Sequence, residues 1–205
     1  MYRSILIIDD FLPDPDAFRE IAERMDFEYT DELSNFPGRN STQRLNVPEI
    51  DTSICDILDE KLQPMQGSSH GKFRLTLGHD IGKAKVHLDN SQWSGILYLT
   101  PDHLSGGGTE FFKHKSTGLD STLLSKETMK FQGWNSQEIA NQEINRIVKE
   151  DSNDDDKWEH IMQVPMKYNR LLLMRPWLWH TAGPGFGDSF DTGRLVFLLF
   201  YLSEK

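Results

Sequence analysis

An α+β fold with a β-sandwich or barrel core is predicted for this 205-residue chain by three observations. Two amphipathic helical segments come first. Many short apolar segments punctuated by glycine or polar residues follow. Two of these, 169–179 and 194–202, are too apolar to lie on a surface.

The elements follow in order. Residues 5–8 (Ile-Leu-Ile-Ile) form a β-branched run that stops at Asp9-Asp10 and reads as a short buried strand. Asp14 is a helix N-cap, Pro15 suits the first helical position, and Phe18, Ile21, Ala22 and Met25 then share one face. Residues 35–42 (Asn-Phe-Pro-Gly-Arg-Asn-Ser-Thr) carry turn chemistry and read as an exposed loop. A second helix is expected over about 51–61, with Ile54, Ile57, Leu58 and Leu62 inward. Segments 73–77, 84–88 and 94–100 read as strands, as do 169–179 and 194–202. Between these groups lies an insertion at about 113–159 in a single domain spanning 1–205. It holds a helix with Asn135 and Glu138 at capping-box spacing and an acidic stretch, 150–156, expected to be a solvated, self-repelling loop.

Composition narrows the class. With 37% hydrophobic and 26% charged residues the chain is globular, not disordered. A single cysteine, Cys55, excludes an intrachain disulfide and any cysteine-based zinc or iron–sulfur centre. A formal net charge of -10 repels phosphates, so no nucleic-acid partner is expected. The apolar run near the N-terminus is too short for a signal peptide or a membrane span, so the reading is a soluble, cytoplasmic protein without a membrane partner. Oligomeric state is not legible.

Three side chains stand out as metal ligands. In His87-Leu88-Asp89 the first and third residues of a strand project to one face, so imidazole and carboxylate can reach one ion. Seven histidines and 32 acids supply about one such triplet by chance, so its weight comes from its company. His180 ends the apolar segment that begins near Leu171, and Arg194 opens another apolar segment, where a guanidinium must be paired. Two histidines and one carboxylate make the facial triad of non-haem Fe(II) oxygenases, with three positions open for an organic acid and O₂. A buried arginine suits the far carboxylate of such an acid. Arg175 is the competing anchor, but in a regular strand it points away from His180, unless Pro176 introduces a bulge. His79 and Asp80 are adjacent and face opposite ways. His70, His103, His114 and His160 are expected to be solvated, and Trp177 and Trp179 to be wall or core. The stretch 150–156 lacks the glycine and glutamate of an EF-hand loop.

With these residues in view the chain resembles the 2-oxoglutarate/Fe(II)-dependent dioxygenases, whose signature is His-x-Asp, a long gap, a second histidine and then a basic residue. Here that residue, Arg194, follows His180 by fourteen positions. Ile96-Leu97-Tyr98-Leu99-Thr100-Pro101 with Gly106-Gly107-Gly108-Thr109-Glu110-Phe111-Phe112 is similar to a segment of the prolyl-hydroxylase-like branch, and so is Ile7-Ile8-Asp9-Asp10-Phe11-Leu12-Pro13. The resemblance implies a double-stranded β-helix, or jelly roll, with N-terminal helices packed on one sheet. It implies that His87, Asp89 and His180 hold Fe(II), that Arg194 holds the far carboxylate of the cosubstrate 2-oxoglutarate, and that Tyr98 hydrogen-bonds the same molecule. Ascorbate is the reductant the resemblance suggests. The reaction implied is hydroxylation of a C–H bond of a small molecule or peptide by O₂, with release of succinate and CO₂. One departure is Val196, where many relatives carry a hydroxyl residue two positions after the arginine. The rival readings are a cupin-like metal protein that does not use 2-oxoglutarate and a non-catalytic jelly-roll module.

Overall fold

The computed structural model describes residues 3–28 and 36–204. Asn35, the first residue of the expected loop at 35–42, lies outside them. The chain begins with β1 (Ile5–Ile8), and α1 (Pro15–Glu23) follows, with Asp14 accepting from the Ala17 amide and Pro15 in the first turn. The expected exposed loop contains β2 (Arg39–Asn40), which pairs with β4 (Lys72–Thr76), so two of its residues belong to a sheet. Helix α2 spans Pro48–Leu58, about three residues earlier than its apolar periodicity suggests. Pro48 occupies its first turn, and Asp59 ends it in the left-handed region at φ 55. Leu62, expected on that helix, instead opens β3 (Leu62–Pro64), where it is still buried.

Strand β5 (Trp93–Tyr98) matches its expected segment, but no strand forms over 84–88. Within that stretch the one β-bridge joins His87 to His180. The apolar segment 169–179 also divides. It supplies β8 (Leu171–Met174) and turns at Arg175–Leu178, so His180 starts β9 (His180–Thr181) in a different sheet. Proline at 176 cannot donate to a ladder, consistent with the strand stopping there. The final strand, β10, runs Arg194–Ser203.

Around the expected insertion, β6 (Gly108–His114) and β7 (Trp158–Pro165) pair with each other, so the helical excursion is confined to the residues between them. It holds a short helix α3 (Lys126–Phe131) and α4 (Gln137–Glu150). Helix α4 is capped by Ser136, which accepts from the Ile139 amide, one residue beyond the expected Asn135.

All these pairings are antiparallel. One sheet has the order β1-β8-β5-β10-β4-β2, with β3 also on β10, and the other has the order β7-β6-β9. Alternation along the strands separates two cores. Leu195, Phe197 and Leu199 of β10, with Leu97 and Leu173, share a cluster with Phe18 and Ala22 of α1 and with Ile50, Ile54 and Leu58 of α2. Val196 and Leu198, with Tyr98, Leu172 and Met174, pack instead against Phe111 and Val164 of the smaller sheet. The central strands are therefore covered on both faces, which is why they read as unbroken apolar runs. The two sheets form an open arrangement, not one closed barrel. Among the described residues no helix is long and apolar enough to cross a membrane.

Candidate metal centre and pocket

The ligand candidates come from separate elements. His87 and Asp89 lie between β4 and β5, and His180 opens β9. His87 N donates to His180 O (2.9 Å) and His180 N to His87 O (3.2 Å), while Asp89 N donates to Pro176 O (3.2 Å). These backbone bonds hold the triplet beside His180 without a strand, so the shared face arises from a bridge and not from strand alternation. Past His180 the chain turns at Gly183 (φ 73), where a Cβ would meet the Gly108 carbonyl at 2.4 Å.

One potential ligand atom from each of His87, Asp89 and His180 lies within 4.8 Å of the others. His87 Nε2 is 3.8 Å from Asp89 Oδ1, and His180 Nε2 is 3.5 Å from Asp89 Oδ2. Each histidine places Nδ1 against a backbone carbonyl, His87 on Lys85 O (2.9 Å) and His180 on Leu178 O (2.8 Å). A carbonyl only accepts, so Nδ1 carries the proton and Nε2 presents its lone pair to the centre. Burial first, then the neighbouring His180, holds the His87 pKa down to about 4, so its imidazole is neutral near pH 7. Burial alone would raise the Asp89 carboxyl, but His180, His87 and Ser94 outweigh it and hold the group well below the usual carboxylate range. Ser94 Oγ donates to Asp89 Oδ2 at 2.6 Å. This donor set, two oriented imidazoles and an ionised carboxylate, fits a divalent transition metal.

The three residues line a pocket of about 360 Å³ that also takes in Arg74 and Arg194. Arg194 is 2% exposed, and among the described residues its Nε and Nη2 have no hydrogen-bond partner. Burial lowers its pKa, the direction expected for a charge taken out of water without an anion. A buried fork of unpaired donors in a pocket is a site for an oxyanion. Tyr98, expected to reach the same molecule, is fully buried behind Arg194 with its ring centroid 5.8 Å from Arg194 Cζ and is not among the residues lining the pocket. Its hydroxyl accepts from Thr109 N (3.2 Å) and shares a bond with Thr109 Oγ1 (2.8 Å). The two similar stretches around Tyr98 and Thr109 thus meet at this contact between the sheets.

Arg175, the alternative anchor, is buried elsewhere. Its Nη2 pairs with Glu60 Oε1 (2.5 Å), its Nη1 donates to Gln92 O (3.2 Å), and its Cζ lies 3.9 Å from the Trp93 ring centroid. It is a packed ion pair, away from the residues that line the pocket. His79 and Asp80 also remain outside the pocket lining. Two of the four histidines expected to be solvated are not: His114 is 0% exposed and bonded to Thr117 and Asp151, and His70 contacts the Phe200 backbone and Asp51. His103 and His160 are exposed. Trp179 belongs to the core with Trp158.

Several functional neighbours have weaker sequence signals. Ser94 is a polar residue on the inward face of an apolar strand, which is the signal that could have found it. Phe36 lies against His87, ring centroids 4.2 Å apart. The acidic stretch is anchored: Ser152 Oγ donates to Val86 O (2.8 Å) and accepts from Lys85 N (3.1 Å), Asn153 Nδ2 donates to Lys83 O (2.6 Å), and Asp155 pairs with Lys85. Cations and backbone donors offset the like-charge repulsion that suggested a loose loop.

Similarity to solved structures gives the fold a context. HygX from Streptomyces hygroscopicus, with nickel, 2-oxoglutarate and hygromycin B bound, superposes with a TM-score of 0.54 at 13% identity, covering 98% of this chain and 83% of that one. HygX with iron bound gives 0.50 at 12% identity, covering 98% and 82%. The non-haem alpha-ketoglutarate-dependent carbocyclase SnoK from nogalamycin biosynthesis gives 0.52 at 12% identity, covering 98% and 80%. At such identities the likeness is one of fold. No curated protein matches the sequence. A family model does match residues 41–201, and the chain belongs to that family, described as a family of unknown function (DUF6445).

Proposed function

We propose that this protein is a non-haem Fe(II)- and 2-oxoglutarate-dependent oxygenase that hydroxylates a C–H bond of an organic substrate, with release of succinate and CO₂. The observation that carries the reading is the pairing, in one pocket, of a metal-ready triad (His87, Asp89, His180) with a buried guanidinium that lacks a partner, Arg194. A zinc-type or purely structural site has no use for the second element. The metal and cosubstrate bound to HygX support the same assignment, because that protein shares the fold.

Fe(II) supplies the capacity to activate O₂ together with a bound 2-oxo acid. The protein's own residues do the rest. His87 and His180 present Nε2 because their Nδ1 protons are committed to carbonyls, and Asp89 supplies the anionic ligand, held by Ser94. Arg194, whose Nε and Nη2 are buried and unpartnered among the described residues, would hold the far carboxylate of 2-oxoglutarate. Tyr98 is not among the residues lining the pocket, and its hydroxyl is engaged by Thr109, so its part in this reading is to pack behind Arg194 rather than to contact the cosubstrate. Apolar walls from Ile96, Val196 and Leu198 keep water from the centre.

Anaerobic addition of Fe(II) and then 2-oxoglutarate should give a weak visible charge-transfer band in the wild type. Arg194→Gln should weaken 2-oxoglutarate by about ten- to a hundredfold, leave Fe(II) binding nearly unchanged, and barely affect pyruvate, which lacks the far carboxylate. An equal loss for pyruvate would move the cosubstrate assignment away from Arg194. Absence of the band in the wild type would favour the cupin-like reading.

A further inference from the structure

A second arginine enters the same pocket. Arg74 of β4 pairs in register with Val196 of β10, two residues along from Arg194. Directly opposed residues of an antiparallel pair face the same side, so both guanidinium groups reach the pocket that they line. Arg74 is fixed at one edge only. Its Nε donates to Asn40 Oδ1 (2.8 Å), and Asn40 Nδ2 donates to Ser69 Oγ (3.1 Å). The Phe36 ring centroid lies 5.8 Å from its Cζ. Among the described residues no acceptor and no ion-pair partner meets its two terminal nitrogens. The nearby acids are engaged: Glu28 with Lys72, and Asp89 with the metal triad. Burial, then the charge of Arg194, brings the Arg74 pKa down to about 10, a sign that the two cations share a poorly solvated space.

Charge balance identifies what is missing. A divalent metal with Asp89 retains one positive charge, and the two arginines add two more. A 2-oxoglutarate dianion held between the triad's ion and Arg194 would remove two. One positive charge is left over, and it sits at Arg74. The wall beside it is aliphatic, formed by Ile96, Met174, Val196 and Leu198.

We propose that Arg74 is the specificity-determining residue for the primary substrate and binds the carboxylate of a small organic acid whose apolar body lies along that wall. This rests on the oxygenase reading above and adds the substrate class to it.

The probes are linear monocarboxylates from butanoate to decanoate and their primary amides. They are titrated calorimetrically, under anaerobic conditions, into protein loaded with Fe(II) and 2-oxoglutarate. In the wild type at least one acid should bind about tenfold more tightly than its amide. Arg74→Gln should erase that preference while 2-oxoglutarate affinity stays within about threefold, which also reports an intact pocket. Arg74→Lys should retain part of the preference, because it keeps the charge and loses the fork. Three results overturn the assignment: no acid preferred by the wild type, a preference that survives Arg74→Gln, or a loss of 2-oxoglutarate in Arg74→Gln as large as in Arg194→Gln. With normal 2-oxoglutarate binding, such a result removes the role of Arg74 alone. Failure of the wild type to bind 2-oxoglutarate removes the oxygenase reading and this one together.

Discussion

The two histidines of the triad use the same device. Each gives its Nδ1 proton to the carbonyl two residues before it, Lys85 for His87 and Leu178 for His180. The ring cannot rotate without losing that bond, so Nε2 is held toward the centre of the three side chains. Ser94 does the equivalent for Asp89. Ser94→Ala removes the donor without touching a ligand, so metal affinity should fall by about ten- to a hundredfold with little change in fold. Titrating Fe(II) or Ni(II) into wild type and variant checks this, and unchanged affinity would remove Ser94 from the site. That His87, Asp89, His180 and Arg194 are the candidates was legible in their residue types and spacing, and the fold brings the four to one pocket. Arg74 was not legible. An arginine in a segment such as Lys72–Thr76 reads as an outward charge until strand pairing shows which face it occupies.

The segment carrying His87 is not a regular element and is held by the end of α4. Ser152 is 3% exposed, and it accepts from Lys85 N while donating to Val86 O; Val86 N returns a bond to Ser152 O (3.1 Å). The excursion between β6 and β7 is thus a buttress for the ligand segment. Ser152→Ala should leave the buried Val86 carbonyl and the half-buried Lys85 amide short of a partner, costing about 1–3 kcal/mol. Metal affinity should drop with it, because the backbone that aims His87 loosens. Thermal melting together with metal titration tests the coupling. Lower stability with unaltered metal affinity would show that the bridge to His180 positions His87 alone. Asp14 capping and the apolar face of α1 were readable locally, whereas the role of 150–156 was not, since its partners Lys83, Lys85 and Val86 are distant in sequence.

Across the whole molecule, the larger sheet divides the apolar residues into one core under α1 and α2 and another facing the smaller sheet, and the pocket borders the second. Ligands that bind only the folded pocket stabilise the whole chain. At a hundredfold excess over Kd a single ligand adds about 2.7 kcal/mol. For a chain of this size that corresponds to roughly 5–10 °C in Tm. Metal should raise Tm, 2-oxoglutarate should raise it further only when metal is present, and Arg194→Gln should keep the first increment and lose the second. Differential scanning calorimetry resolves the two steps. A variant that kept both would mean that the cosubstrate anchor lies elsewhere.

The sequence by itself determined the helices of the N-terminal region, most of the central strands and the chemical types able to hold a metal and an oxyanion. Those signals are local: periodicity, caps and the conspicuousness of polar residues in apolar runs. Only the tertiary structure decided that His180 leaves its apolar segment through a turn at Pro176 and joins the smaller sheet, that Arg175 is consumed by Glu60, and that Arg74 and Arg194 open into one pocket. The physical reason is that a side chain's face depends on which strand lies beside it. That is settled by pairing between residues far apart in the chain and not by the residues next to it.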